Sequence, residues 1–359
     1  MEGLRTGLSY GDVLLVPQRS AVGSRSHVDL STRLTDAIEL DTPLLSAPMD
    51  TVTGPETAIA LARAGGFGTV HRFMSVDEQA AAVRAVARAG EHVGAAVGID
   101  EDYLGRTEAA LEAGADCVTI DVAHGHLESC LGAVEQVRME FDPELVVGNV
   151  ATPEGVEDLY GAGADCVKVG IGPGSHCTTR RVAGAGVPQL TAVHDCAGRA
   201  HELGVPVIAD GGIRCSGDAV KALMAGADTV MMGSLFAGTD EAPGELVERD
   251  GRRYKRSRGM ATAAANEHRT DKEGAAPEAD EGVEGLVEYV GPLAGVAEEF
   301  AAGIRSGLSY CGGHTILEAR ENAEFVRVTP SGREREGAHS EVWEDVTGED
   351  GVGRPTGGD

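Results

Sequence analysis

The sequence predicts an α/β fold, a closed barrel of eight βα units, and three observations predict it. The first is a repeat: Ala113-Gly-Ala-Asp-Cys-Val118, Ala162-Gly-Ala-Asp-Cys-Val167 and Ala225-Gly-Ala-Asp-Thr-Val230 share one form. In each, an Ala-rich amphipathic segment meets a Gly stop and then a short β-branched run, which is a helix C-cap followed by a strand. The second is continuity of the apolar runs, which marks parallel strands buried on both faces. The third is the chemistry of the strand ends, which are polar or glycine-rich where a purely structural turn would be apolar. A (β/α)8 TIM barrel carries its site on those loops.

Eight strands are expected at 43–49, 68–73, 92–99, 117–122, 145–150, 166–171, 206–212 and 229–234. An open doubly wound sheet is disfavoured because no Gly-x-Gly-x-x-Gly follows the first strand. Residues 1–40 precede the barrel, and their apolar segments at 8–17 and 28–34 are expected to form strands or a plug over its bottom. The stretch 258–281 is small and polar without a core pattern, and reads as a mobile flap over the site. The periodic segment 293–308 is expected to be the last barrel helix. A single catalytic unit over 1–338 leaves an acidic, Gly-rich tail at 339–359, expected to be disordered.

The chain has 359 residues with 58 Asp and Glu against 30 Lys and Arg, a net charge of −28. Such a surface repels nucleic acid and anionic membrane. The acids are spread along the chain and not blocked, which fits adaptation to a high-salt interior better than a charge-based function. The seven cysteines form no Cys-x-x-Cys pair, so neither a zinc centre nor a disulfide framework is indicated. No stretch is apolar enough to span a membrane, and a reducing cytoplasm is the expected setting.

The loop Gly172-Pro-Gly-Ser-His-Cys-Thr-Thr-Arg180 holds the chemistry. Its glycines permit close backbone approach to an anion. Cys177 stands at the loop's mouth, where a nucleophile is useful. Three loops, at Gly174 with Ser175, Gly211 with Gly212, and Gly233 with Ser234, are placed to hold one phosphate. Asp210 is suited to accept hydrogen bonds from sugar hydroxyls. Thr179 and Arg180 are candidates to position a leaving group or the anion. His176 is a weaker candidate for a base, because a side chain next to a nucleophile usually points away from it.

These motifs, with Leu8-Ser-Tyr-Gly-Asp-Val-Leu-Leu-Val-Pro17, Ser46-Ala-Pro-Met-Asp-Thr-Val52, Asp121-Val-Ala-His-Gly125, Gly148-Asn-Val-Ala-Thr152, Ala209-Asp-Gly-Gly-Ile213, Met232-Gly-Ser-Leu-Phe-Ala-Gly238 and Gly282-Val-Glu-Gly285, resemble the IMP dehydrogenase/GMP reductase family. The resemblance implies that Cys177 attacks C2 of a purine nucleotide to form a covalent thioimidate, with Thr179 and Glu281 assisting. It implies that Ser46, Met49, Ser175, Gly211, Gly212, Gly233, Ser234, Gly259 and Met260 contact the nucleotide, with Asp210 on the ribose. Asp121, Asn149 and Gly170 fall on the nicotinamide side, for NADPH or NAD. Carbonyls of Gly172, Gly174 and Cys177 match a potassium-binding loop, and members are usually homotetramers.

The family runs two reactions. Dehydrogenases oxidise IMP with NAD and water; reductases convert GMP to IMP with NADPH and release ammonia. The resemblance implies that an Arg-Tyr pair on the dehydrogenase flap activates water. Here Arg269 is followed by Thr270, and no tyrosine lies between Tyr254 and Tyr289. The regulatory insert common in dehydrogenases is also absent. Both features lean toward GMP reductase, with IMP dehydrogenase the alternative. The stretches 184–191, 209–214 and 303–307 look more like dehydrogenases, and Arg269 remains a candidate for water activation. Ser257 stands where many members carry a tyrosine near the phosphate. A non-catalytic nucleotide-binding paralogue is the remaining alternative, against which the nucleophile itself argues.

Overall fold

The computed structural model describes residues 4–99, 102–270 and 280–334. Eight parallel strands close into a barrel: β1 (Leu44–Ser46), β2 (Phe67–Val70), β3 (Val93–Val97), β4 (Cys117–Asp121), β5 (Leu145–Val150), β6 (Cys166–Val169), β7 (Val207–Asp210) and β8 (Thr229–Met232). Each pairs with its neighbours in sequence order, and β8 returns to β1. Every expected strand is present. Several end earlier than expected: Met49, Phe73, Ile99, Ile171 and Gly212 lie beyond the ladders. Their residue types continue the apolar run, but the chain there has already turned to line the barrel mouth.

The helices α1 (Pro55–Arg63), α2 (Val76–Arg88), α3 (Tyr103–Ala113), α4 (Glu128–Phe141), α5 (Pro153–Ala162), α6 (Gln189–Leu203), α7 (Ser216–Met224) and α8 (Leu293–Tyr310) surround the barrel. Local rules set their ends. Ser75 and Glu78 form a reciprocal capping box at the start of α2, and Thr152 caps α5. Gly114 and Gly163 end α3 and α5 in the left-handed region, where a side chain would be strained.

The repeat has a further purpose. Asp116, Asp165 and Asp228 each bind the first residue of the preceding barrel strand twice. Their carboxylates accept the N–H groups of Val93, Leu145 and Val207, each at 2.8 Å. Their own N–H groups donate to the carbonyls of the same three residues, also at 2.8 Å. The Ala-Gly-Ala-Asp unit therefore stops a helix and clamps the next strand to the last one.

Alternate strand residues divide between two packed layers. Leu45, Phe67, Cys117, Val146, Cys166, Ile208 and Met231 fill the barrel interior. Val118, Val147, Val167 and Val230 face the helices. The interior cluster also takes Leu34, Ile38 and Leu40 from the hairpin Thr32–Arg33/Glu39–Leu40, which plugs the bottom as expected. The earlier segment does not. Val13–Leu15 pairs antiparallel with Phe325–Arg327, and Tyr10 reaches the loop after β7 beside Gly212.

The stretch 258–281, expected to be a mobile flap, is flanked by a small sheet and contains a short helix. Beyond the barrel, β9 (Leu246–Arg249), β10 (Arg252–Arg258) and β11 (Glu284–Glu288) form an antiparallel sheet, and Ala263–His268 is helical. Residues 271–279 of the expected flap, and the expected tail after Gly337, lie outside the described residues. The last barrel helix runs two residues further than expected, to Tyr310.

Candidate active site

A cavity of about 760 Å³ opens at the C-terminal ends of the strands, within the range of small-molecule sites. It is lined by Met49, Asp121, Asn149, Gly170, Gly172, Gly174, Ser175, Cys177, Thr179, Asp210, Gly211, Gly212, Gly233, Ser234, Gly259, Met260, Arg269 and Glu281. The residues singled out in the sequence thus meet in one place, from loops spread over more than 230 positions. Ser46 and Arg180 are not among its lining residues. Ser46 is fully buried within β1, and its hydroxyl is hydrogen-bonded to that of Thr53 at 2.9 Å. Its motif resembles a site residue, but the strand pleat turns it into the packing under α1.

The cysteine loop is held by strand-like pairing with the end of the flap. Thr178 N–H donates to the Glu281 carbonyl at 2.8 Å, and Val283 N–H donates to the His176 carbonyl at 2.9 Å. Between them Cys177 bridges Gly282. This pairing brings the Glu281 side chain to Thr179, whose hydroxyl donates to Glu281 Oε2 at 2.8 Å. Cys177 Sγ lies 3.1 Å from the same hydroxyl oxygen. A hydroxyl has one proton. With that proton directed at Glu281, the thiol is the donor to Thr179. The hydrogen bonds thus run in one order, Cys177 to Thr179 to Glu281.

Arg180 differs from its expected role. Its guanidinium donates to the carbonyls of Ile171 at 3.1 Å and Val187 at 2.6 Å. It braces the loop, and its charge is felt by Cys177. His176 lines the cavity with Nδ1 3.1 Å from Ser175 Oγ. Burial pushes its imidazole below the usual range, so the ring favours its neutral form.

The three expected phosphate loops converge. Gly211 donates its N–H to the Met231 carbonyl. Among the described residues, no protein acceptor takes the N–H groups of Gly212, Gly233 or Ser234, all on the cavity wall. Gly211 and Gly212 have φ of 89° and 80°, the left-handed region that lets the turn present backbone to a ligand. Arg214, which the sequence reading did not single out, also lines the cavity and is exposed.

A second omission is Lys168. It is 1% exposed inside β6, and its ammonium reaches Asp121 Oδ1 at 2.8 Å, Asp210 Oδ2 at 2.5 Å and Asn149 Oδ1. The signal was present: one lysine in the apolar run Cys166-Val-Lys-Val169, where burial demands a partner. Arg72 and Phe73 enter from the loop after β2. Gln79 of α2 fixes that loop by donating to the carbonyls of Val70 and His71. The Arg269 guanidinium stacks over the Phe73 ring at 4.1 Å. Arg258 pairs with Asp50 in the interior at 2.5 Å and ties β10 to the loop after β1.

Comparison with known proteins gives this geometry its family. The model of the IMP dehydrogenase / GMP reductase domain matches residues 7–339. The chain belongs to that family. An inosine-5′-monophosphate dehydrogenase of Nitrosopumilus maritimus (strain SCM1) is 36% identical, over 91% of this chain and 97% of its own. A GMP reductase of Leishmania donovani is 35% identical, over 94% and 97%. Among solved structures, a cysteine-to-alanine variant of GMP reductase from Trypanosoma brucei, in complex with guanosine 5′-monophosphate, superposes with a TM-score of 0.90 at 32% identity. That match covers 95% of this chain and 99% of the other. The alignment to the Nitrosopumilus maritimus relative spans 461 positions, more than this chain contains, so the relative carries residues this one lacks. Within the fold, β2 ends at Val70 and α2 begins at Val76, with only a short loop between. The chain is thus a purine-nucleotide oxidoreductase of the NAD(P)-dependent IMP dehydrogenase/GMP reductase family. Among the described residues, no helix is long and apolar enough to cross a membrane.

Proposed function

We propose that this chain is a GMP reductase, converting GMP and NADPH to IMP, ammonia and NADP. The observation that carries the reading is the flap, where Arg269 is followed by Thr270 and no tyrosine lies between Tyr254 and Tyr289 to activate water. The hydrogen bonds that join Cys177, Thr179 and Glu281 support the covalent step: a carboxylate behind one hydroxyl can take the proton from sulfur and return it to departing ammonia.

The phosphate of GMP sits against the N–H groups of Gly212, Gly233 and Ser234, with Ser175 beside them. Asp210 takes the ribose hydroxyls. Met49 and Met260 flank the base, and Gly259 allows its close approach. Cys177 loses its proton through Thr179 to Glu281 and adds to C2 of guanine. The C2–N bond then breaks, and the proton returns from Glu281 to ammonia, leaving a thioimidate. NADPH, when bound, supplies the hydride that reduces C2, and the cavity wall from Asp121 to Gly170 offers polar groups to hold a nicotinamide. The C2–S bond breaks last and restores Cys177. The overall balance is GMP, NADPH and two protons to IMP, ammonium and NADP.

The second reading is IMP dehydrogenase, and Arg269 favours it. This arginine lines the same cavity as Cys177, where a water-activating cation would stand. GMP with NADPH, and separately IMP with NAD, should be offered to the purified protein in molar KCl while nicotinamide absorbance is followed. Loss of NADPH with GMP supports the reductase; NADH formation with IMP alone overturns it.

The same reading takes residues 1–338 as one catalytic unit with a mobile flap at 258–281, assembled as a homotetramer in the cytoplasm. Potassium fits the loop at Gly172, Gly174 and Cys177: the Gly174 carbonyl accepts the Cys177 N–H at 3.1 Å, which leaves one lone pair for a cation. The acidic surface is read as a halophilic adaptation, and unfolding on dilution from molar salt tests it.

A further inference from the structure

We propose that Lys168 is a positioning residue that fixes the Asp210 carboxylate for ribose recognition and couples it to Asp121 across the barrel mouth. This rests on the nucleotide reading above.

An ammonium has three N–H donors. Lys168 places them among three acceptors: Asp210 Oδ2 from β7, Asp121 Oδ1 from β4 and Asn149 Oδ1 from β5. Nothing remains for substrate, so Lys168 is neither acid nor nucleophile. The two carboxylates outweigh burial and push its pKa up, so the cation persists. Gly148 of β5 packs directly against β6, where a Cβ would stand 2.4 Å from Lys168 Cβ.

The network determines which oxygen of Asp210 is spent. Lys168 and the Asn149 amide both bind Oδ2, the amide at 2.9 Å. The same amide nitrogen donates to the Gly170 carbonyl at 2.7 Å, which fixes the amide's orientation. Oδ1 receives neither bond, and Asp210 lines the cavity. With Oδ2 anchored, the carboxylate cannot spin, and Oδ1 is held ready as an acceptor. Tyr10, from the N-terminal segment, also senses the Asp210 charge. Tyr10 is buried and neutral, so it cannot replace the lysine as counterion.

Without Lys168, Asp210 and Asp121 would face each other across the mouth with no cation between. The expected result is a carboxylate that turns or takes a proton, and a site that no longer senses the sugar hydroxyl. The test compares equilibrium binding of GMP and 2′-deoxyguanosine 5′-monophosphate to the full chain and to Lys168→Met. The wild type should prefer GMP by about tenfold or more, as a hydrogen bond to a charged acceptor gives. Lys168→Met should reduce that preference to under about threefold, with affinity for the deoxy form nearly unchanged. Should the Met variant not fold, Lys168→Leu, apolar and without a donor, carries the same comparison. A folded variant that keeps the wild-type preference overturns the proposal. So does failure of both variants to fold, which would make Lys168 purely structural. A wild-type protein that binds neither nucleotide removes the functional reading itself, a result distinct from unchanged discrimination.

Discussion

Replacing Thr179 by valine tests the proton path most directly. Valine keeps the volume and branching and deletes the one hydroxyl that joins sulfur to carboxylate. In the structure that hydroxyl makes two contacts, 3.1 Å to Cys177 Sγ and 2.8 Å to Glu281 Oε2. A hydrogen bond to a charged group contributes about 1.5–3 kcal/mol. If that were felt only in the transition state, turnover would fall by about 10- to 150-fold, at 1.36 kcal/mol per decade. Loss of general acid–base transfer itself costs about 10²–10⁴-fold. The expected kcat is therefore lower by roughly two to three orders of magnitude. Nucleotide affinity should hold within about threefold, because the Thr179 hydroxyl is engaged with Cys177 and Glu281 and not with the phosphate loops. The assay is steady-state NADPH oxidation with GMP, with affinity measured separately by equilibrium binding. A Thr179→Val enzyme that retains kcat within about fivefold would refute the path. So would a variant whose entire loss appears in nucleotide affinity.

Three other outcomes are expected. Cys177→Ala should abolish turnover while leaving nucleotide binding intact; residual turnover at normal rate would exclude covalent catalysis. Gly170→Ala should destabilise the fold by about 1–3 kcal/mol in urea and raise KM for the nucleotide. A Cβ at Gly170 would stand 2.3 Å from the Asp210 carbonyl and 2.9 Å from Gln189 Nε2, and the first of these is backbone that cannot swing aside. Unchanged stability and KM would contradict that. His176 supplies a pH dependence. Its folded pKa is depressed by burial, so near and below pH 6.5 the unfolded chain holds the extra proton. Stability should fall as pH drops through about 6.5 toward the folded value, and His176→Gln should flatten that fall in urea titrations. An identical slope in the variant would place its cause elsewhere.

Much of the barrel was legible because it is written locally. A helix stop, a glycine in the left-handed region and a β-branched run are properties of contiguous residues, and Ala-Gly-Ala-Asp states all three. The aspartate's work was not legible, since its partner lies one strand back. Ser46 and Arg180 show the same limit. Their motifs place them beside the site, but strand pleat and loop curvature decide which way each side chain faces. The stretch 258–281 looked featureless because its short helix, Ala263–His268, is fixed by caps from Thr262 and Asp280 and not by an apolar pattern.

The sequence by itself determined the fold class, the family resemblance, the candidate nucleophile and the glycine loops, because each depends on residues adjacent in the chain. Only the tertiary structure decided how they act together. It set Glu281 against Thr179, 102 residues away in sequence, and so gave the thiol proton a direction. It placed the Lys168 ammonium between two carboxylates from separate strands. Both are contacts through space, and spacing along a chain carries no distance across a closed barrel.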